Sequence, residues 1–369
     1  DVPVGFFLSG GIDSSAVVGV AREVTAAEIE TFTVVFAERE FDEAGPAAAI
    51  AERFGTRHNE IPLSGDDLLA SLPAAFSAMD QPSMDGLNTY VVSRAVRERG
   101  IKVVLSGLGG DELFAGYPSF RRARTLAAVW ALGKPLRGTL GALAAGAQSI
   151  RADKARLLLA SRDPARGAYL ASRALFAGRS LSALAGPFEE SEDVRPPEGL
   201  SLLQQVSWYE TNGYMRNTLL RDSDVFSMAF GLELRVPFVD RRMVSTAAAV
   251  DDRLKLRSGV SKPVLVDAVH DLLPPEVWDR PKQGFTLPFE RWLCGPLRAE
   301  MEAALTRKRL HRVGVDADAA RTVWAEFLRG NVGWSRPWAL YTLVRWAEEN
   351  DLSVEVERLS EGRVPQSAA

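Results

Sequence analysis

The sequence predicts an α/β protein: a parallel sheet with helices on both faces, followed by a mainly helical half. Three observations carry that expectation. Through the first hundred residues, short apolar runs alternate with helical patterns, the βαβ order that builds parallel sheets. Two glycine-rich segments, beginning at Ser9 and at Ser106, each follow a strand candidate directly, and ligands of open α/β sheets sit beyond those strand ends. From about Arg121 the texture changes to Ala-, Leu- and Arg-rich helical sequence, broken at Gly133-Lys134-Pro135 and Gly186-Pro187.

Taken in order, residues 5–8 form an apolar strand and residues 13–24 an amphipathic helix. Residues 31–36 are rich in Thr, Val and Phe and give a second strand. Asp42 is placed to cap a helix running toward Phe54, and residues 58–63 form a short third strand. Residues 87–99 make a helix stopped by Gly100, and residues 102–105 return to the sheet. Residues 141–147 are read as a small-residue helix weakened by Gly141 and Gly146, and residues 189–199 as an exposed acidic loop. The expected division is an α/β core over 1–120, a mainly helical part over 121–350 completing the same active site, and a frayed tail over 351–369.

Composition narrows the class. At 369 residues the chain is long enough for about two domains, and a net charge of −4 argues against nucleic acid as a partner. One cysteine, Cys294, cannot form an intrachain disulfide and fits a reducing, cytoplasmic location. There is no secretory signal and no apolar run of membrane-spanning length, so no membrane partner is expected. The chain starts without Met almost inside its first strand, which suggests a segment of a longer polypeptide. His58, His270 and His311 lack paired-ligand spacing, so a zinc site is not expected.

The first glycine segment, Ser9-Gly10-Gly11-Ile12-Asp13-Ser14-Ser15, reads as a phosphate loop. Two glycines allow tight turning and close approach to an anion, and the following helix aims free N–H groups and its positive dipole end at the same place. Ser9, Ser14 and Ser15 add hydroxyls, while Asp13 suits a divalent cation bridging phosphate oxygens. Mg²⁺ and a polyphosphate are therefore expected. No lysine follows the second glycine as a Walker A loop requires, and Gly107-Leu108-Gly109-Gly110 ends on Glu112 where a dinucleotide fingerprint needs glycine. An isolated Ser-Gly-Gly turn would serve as a simple helix cap; seven matched positions between strand and helix favour the phosphate loop. The segment resembles the SGGxDSS loop of ATP pyrophosphatases, the PP-loop, adenine nucleotide α-hydrolase-like fold, whose members cleave between the α and β phosphates.

The second segment, Ser106-Gly107-Leu108-Gly109-Gly110-Asp111-Glu112-Leu113-Phe114-Ala115-Gly116-Tyr117, makes the resemblance specific. With the first loop it is similar to the synthetase domain of the asparagine synthetase family, whose blocks include SGxGxDExFxGY. Leu220-Arg221-Asp222, the run from Glu233 to Asp240, Lys262-Pro263 and Arg280-Pro281-Lys282-Gln283-Gly284-Phe285 fit the same family, over residues 1–348 or so. The resemblance implies a two-step, ATP-dependent amide ligation: a carboxylate, most simply that of the aspartate side chain, attacks the α-phosphate, pyrophosphate leaves, and ammonia derived from glutamine displaces AMP. It further implies that Ser9, Gly10, Gly11, Ser14 and Ser15 hold the departing pyrophosphate, that Asp13 and Asp111 coordinate Mg²⁺, and that Leu8, Val34, Ser106 and Gly107 line the adenosine site of ATP. Lys282 would be the cation at the reacting centre, with Asp111 and Glu112 beside it. A glutaminase domain is expected upstream or in trans, and a homodimer is compatible with the sequence.

Two features depart from that pattern or stay open. The family commonly carries an acidic residue where this chain has Leu108, which bears on the choice of carboxylate. A tailoring ligase resembling β-lactam synthetases or lasso-peptide cyclases, an amidotransferase on another carboxylate, and a non-catalytic ATP-binding module are the alternatives, with residues 80–89 as the place where substrate choice would be written. Asp111 has an alternative role as a helix cap, Arg235 reads as an ion-pair support, and Arg221, Asp222 and Asp224 are either pocket-lining or helix-surface residues.

Overall fold

The structure is a computed structural model and describes residues 2–36, 44–131, 138–139, 150–187, 195–279 and 287–352. Its first half alternates as β1 (Val4–Phe7), α1 (Ile12–Val24), β2 (Glu30–Phe36), α2 (Ala44–Phe54), β3 (Arg57–Leu63), α3 (Gly65–Ala78), α4 (Leu87–Glu98), β4 (Val103–Leu105), α5 (Gly110–Leu113) and α6 (Pro118–Ala131). A fifth strand, β5 (Glu233–Arg235), comes from far along the chain, and the sheet runs β3-β2-β1-β4-β5 with every pair parallel. The order reverses between β1 and β4, which places the crevice of such a sheet beyond the carboxyl ends of these two strands.

The strand residues sort by alternation onto two cores. Phe32, Val34, Ile61, Leu63 and Val104 pack with α3, α4 and the late helices, while Phe6, Leu8 and Ile29 pack with α1, α2 and the helix Pro263–Val269. Gly5 sits centrally on β1 because a Cβ there would lie 2.7 Å from the Phe32 ring. The sequence pattern located the strands and helices of this half except α3, whose capping box of Ser64 with Asp67 went unread, and β5, which is only three residues long. The proposed cap at Asp42, the helix over 141–147, the Arg280 block and the tail beyond 352 lie outside the described residues.

The second half is helical as expected. Asp163 caps α8 (Pro164–Arg173), which follows α7 (Ile150–Ala160) and precedes α9 (Gly178–Ala185). Ser201 and Gln204 form a capping box on α10 (Leu202–Tyr209), which widens into π-helical turns over Glu210–Leu220 before α11 (Arg221–Met228). Such widening re-aims side chains relative to a regular helix and recurs at functional sites. The late helix Ser335–Glu349 fastens residues 79–84, because the indole N–H groups of Trp338 and Trp346 donate to the carbonyls of Met84 and Met79 at 3.2 and 3.0 Å. That segment leads into the mouth of the crevice.

Candidate functional site

The first loop is shaped largely by its own backbone. Gly10 has φ +65°, and a Cβ there would meet the Pro46 backbone at 2.7 Å, so only glycine makes this turn against α2. Gly11 caps the thirteen-residue α1 with no side-chain hydrogen bond, which leaves the first-turn amides to a ligand. Ser14 Oγ accepts from the Ser9 amide at 3.1 Å and lies 3.0 Å from Ser9 Oγ, so these hydroxyls hold the loop closed as well as facing the crevice. Ser15 is fully buried in α1 and Gly10 turns toward α2; neither lines the cavity, whereas Leu8, Ser9, Gly11, Asp13 and Ser14 do.

The second loop lies directly on the first. A Cβ on Gly107 would come within 2.8 Å of the backbone of Asp13 and Ser14, and one on Gly110 would collide with the Asp13 carboxylate. Two glycines thus permit a contact between segments a hundred residues apart. Asp111 is not the cap of α5; Gly109, at φ +97°, fills that position and Asp111 stands in the first turn. Its Oδ1 lies 2.9 Å from Lys262 Nζ, and the same ammonium contacts Asp13 Oδ2. Lys262 is 4 % exposed and adopts φ +51°, a strained conformation for a lysine, immediately before the helix Pro263–Val269. Burial opposes its charge, but the two carboxylates outweigh that cost and hold the ammonium above the ordinary lysine range.

The two loops enclose a cavity of about 530 Å³, walled by Leu8, Val34, Ser106 and Gly107 on the sheet side and by Asp85, Asn88 and Thr89 opposite. Leu108 lines it as well. The 80–89 segment therefore reaches the crevice: Arg221 holds it through Asp80 at 3.5 Å, and the Ser83 hydroxyl donates to the buried Asp222. Burial pushes Asp222 up to about 6, against its bonds from Ser83 and Arg221. Asp224 is exposed on the other side of α11, and Arg235 pairs with Glu233 at 2.8 Å on the surface.

Behind the aspartates is a buried network that the residue pattern alone did not assign. Glu112, 1 % exposed, accepts from the Tyr117 hydroxyl at 2.6 Å and is pushed up to about 7 by burial, with the Asp111 charge adding to the shift and the Tyr117 bond opposing it. The Arg173 guanidinium lies 4.1 Å from the Tyr117 ring centroid and 3.7 Å from that of Tyr214, and its Nε donates to the buried Glu210 at 2.8 Å. The Tyr214 hydroxyl donates to Asp85 at 3.0 Å. Lys262 was marked in the sequence by its block but given no role; Arg173, Glu210 and Tyr214 carried no local signal at all, since they converge only through α8 and the π-helical turns. Lys282 lies outside the described residues.

Among the described residues no three metal-ligating side chains cluster, and no helix is long and apolar enough to cross a membrane. Cys294 is exposed and away from the cavity.

The chain matches the asparagine synthase family over residues 1–348. A Mycobacterium bovis protein provisionally named a glutamine-hydrolyzing asparagine synthetase is 33 % identical over 302 residues, covering 79 % of this chain and 46 % of that protein. Asparagine synthetase (glutamine-hydrolyzing) 1 of Bacillus subtilis is 30 % identical over 303 residues, covering 79 % and 48 %. Amidase chyE of Penicillium rubens is 27 % identical over 371 residues, covering 87 % and 55 %. The chain spans about half the length of the curated relatives it matches. With five parallel strands, two crossing glycine loops and a match of this extent, the chain belongs to the asparagine synthase family.

Proposed function

We propose that the chain is the ATP-dependent, AMP- and pyrophosphate-forming half of an amide ligase of the asparagine synthetase type. The observation that carries this reading is the crossing of the two loops, which sets α1's free amides, Asp13, Asp111 and Lys262 around one cavity. In that reading a carboxylate attacks the α-phosphate of ATP, pyrophosphate leaves, and ammonia attacks the resulting acyl-adenylate to release AMP.

Each residue then has a physical task. The α1 amides and the Ser9 and Ser14 hydroxyls meet the charge that builds on the departing pyrophosphate without having to reorganise; loss of one such donor typically costs about 3 kcal/mol of barrier. Leu8 and Val34 offer an apolar wall to the base, and Ser106 and Gly107 offer backbone to the ribose. Asp13 and Asp111 give hard oxygen donors on one side of the cavity, a set that suits Mg²⁺ bound by two carboxylates with phosphate oxygens and water completing the shell. When bound, Mg²⁺ would offset phosphate charge; Lys262, held between the same carboxylates, keeps them in place and adds a second positive centre. Lys282 is assigned to the reacting centre as its cation.

Glu112 is the proton acceptor for the attacking amine. Its carboxyl titrates near 7, where a general base works best, and it is oriented by Tyr117. An acid at this position could take the amine proton or contact the substrate, and Leu108 can do neither, which favours a second reading in which the carboxylate is not that of free aspartate. A glutaminase region supplying ammonia, upstream or in trans, belongs to the proposal for the whole protein.

The test is AMP and pyrophosphate release from Mg·ATP with ammonium, with and without aspartate, followed by detection of asparagine. Aspartate-dependent AMP with matching asparagine supports the first reading. AMP that ignores aspartate but responds to another acid selects the second, and no AMP with any acid, ammonium present, defeats both.

A further inference from the structure

Beside the nucleotide cavity lies a second one of about 450 Å³, and Asp85, Gly86, Asn88 and Tyr214 line both. Three cations line the second cavity: Lys154 from α7, Arg173 from α8 and Arg336 from the first turn of the helix Ser335–Glu349. Among the described residues Lys154 faces Arg336 and Arg122 and no acid; burial and these two like charges hold its ammonium below the ordinary lysine range. Burial lowers Arg336 as well, with no acid opposing the shift. Arg173 has spent its Nε on Glu210, while its Nη2 is buried without a hydrogen-bond partner among the described residues. Asp85 is the acid at the shared wall, and burial pushes it toward its neutral form.

Lys154 and Arg336, half-buried and without an acid beside them among the described residues, are costly to keep charged, because each loses water and Arg336 repels Lys154. An anion in the cavity offsets both effects. On its apolar side Phe289 stacks on Trp334 at 4.5 Å, giving a rigid planar wall. Each of the two cavities falls in the size range of small-molecule ligand sites.

We propose that the second cavity binds the distal anionic group of an extended acid, one longer than aspartate, whose near carboxylate is the one activated in the first cavity. This assignment rests on the ligase reading for the fate of the near carboxylate, and on the cations alone for binding. Lys154 and Arg336 are then specificity-determining residues for the acid, set apart from the phosphate-binding loops.

The experiment uses pimelate, a seven-carbon diacid, with heptanoate as the same chain lacking the second charge. Calorimetric binding is measured on the wild-type chain and on Lys154→Met and Arg336→Met, and acid-dependent ATP–pyrophosphate exchange is run in parallel. The expected result is pimelate binding at least tenfold tighter than heptanoate or aspartate, with the advantage lost in both variants and kept in the charge-retaining Arg336→Lys. Equal binding of the three acids to wild type, or an unchanged preference in folded Met variants, overturns the proposal. If either Met variant fails to fold, Lys154→Gln and Arg336→Gln carry the same decision. Charge-dependent binding with no exchange for any acid upholds the cavity assignment and defeats the ligase reading instead.

Discussion

The two loops that meet in the crevice solve the same problem, holding charge beside a sheet, by opposite means. The first is backbone chemistry: a positive-φ glycine, an uncapped α1 terminus, and hydroxyls that bond within the loop. The second is side-chain chemistry: Asp111, Glu112 and Tyr117 are each held by a group from elsewhere in the fold or by one another, and the loop's own helix is only four residues long. Backbone recognition is written locally, whereas buried charge depends on distant partners. The first loop should therefore tolerate changes around it better than the second tolerates loss of its counter-ions.

The largest expected effect tests that dependence. Lys262→Met removes the cation between Asp13 and Asp111 and leaves two partly buried carboxylates facing each other, which should cost about 3 kcal/mol in denaturant unfolding. Adding Asp13→Asn and Asp111→Asn should restore most of it; a loss below about 1 kcal/mol in the single variant would mean that solvent already screens the triad. Next is the contact itself. Gly107→Ala drives a methyl into the backbone of the first loop, so a cost of about 1–3 kcal/mol and loss of ATP-dependent turnover are expected. Gly45→Ala, whose methyl meets nothing, is the control and should stay within about 0.5 kcal/mol of wild type.

The third effect is a pH dependence with a definite sign. Glu112 is raised from 4.5 to about 7, so the folded protein binds its proton more tightly than the unfolded chain does. Its contribution is complete below 4.5 and is lost as pH rises through about 7, by up to about 3 kcal/mol. Thermal unfolding of wild type should weaken across that window, and Glu112→Gln should flatten the change. In the proposed reaction the same carboxylate must be ionised, so the rate should climb over the window in which stability falls. Tyr117→Phe sharpens this further. It removes the hydrogen bond that favours ionised Glu112, so the rising limb of the pH–rate profile should move upward by about one unit. The smallest effect belongs to the surface: Arg235→Ala breaks an exposed pair with Glu233 and should change stability by less than about 0.5 kcal/mol, with turnover intact.

Legibility in the sequence followed the same division. The alternation of apolar runs with helices exposed four of the five strands, and Ser9 through Asp13 announced their loop, because the turn, the amides and the following helix are contiguous. The second loop was readable only as a matched block. Its partners, Lys262, Arg173, Glu210 and Tyr214, arrive from α8, the π-helical turns and the residue before Pro263, and no periodicity links such positions. Strand β5 escaped for another reason: three residues, Glu233 to Arg235, are too few to show alternation. Asp111 could be read as a cap from its place before Leu113, yet Gly109 serves, since the chain must enter α5 through a left-handed conformation.

Strand β5 also sets a schedule for folding. It pairs with β4 through Val103↔Glu233, so the sheet's last edge closes only after the more than one hundred residues between the two strands have been made. During synthesis β1 to β4 can assemble early while β4 still shows an open edge, the kind of surface that invites chain-to-chain pairing. A nascent chain stopped before residue 233 should thus be the aggregation-prone species, and holdase chaperones should engage it until the strand docks.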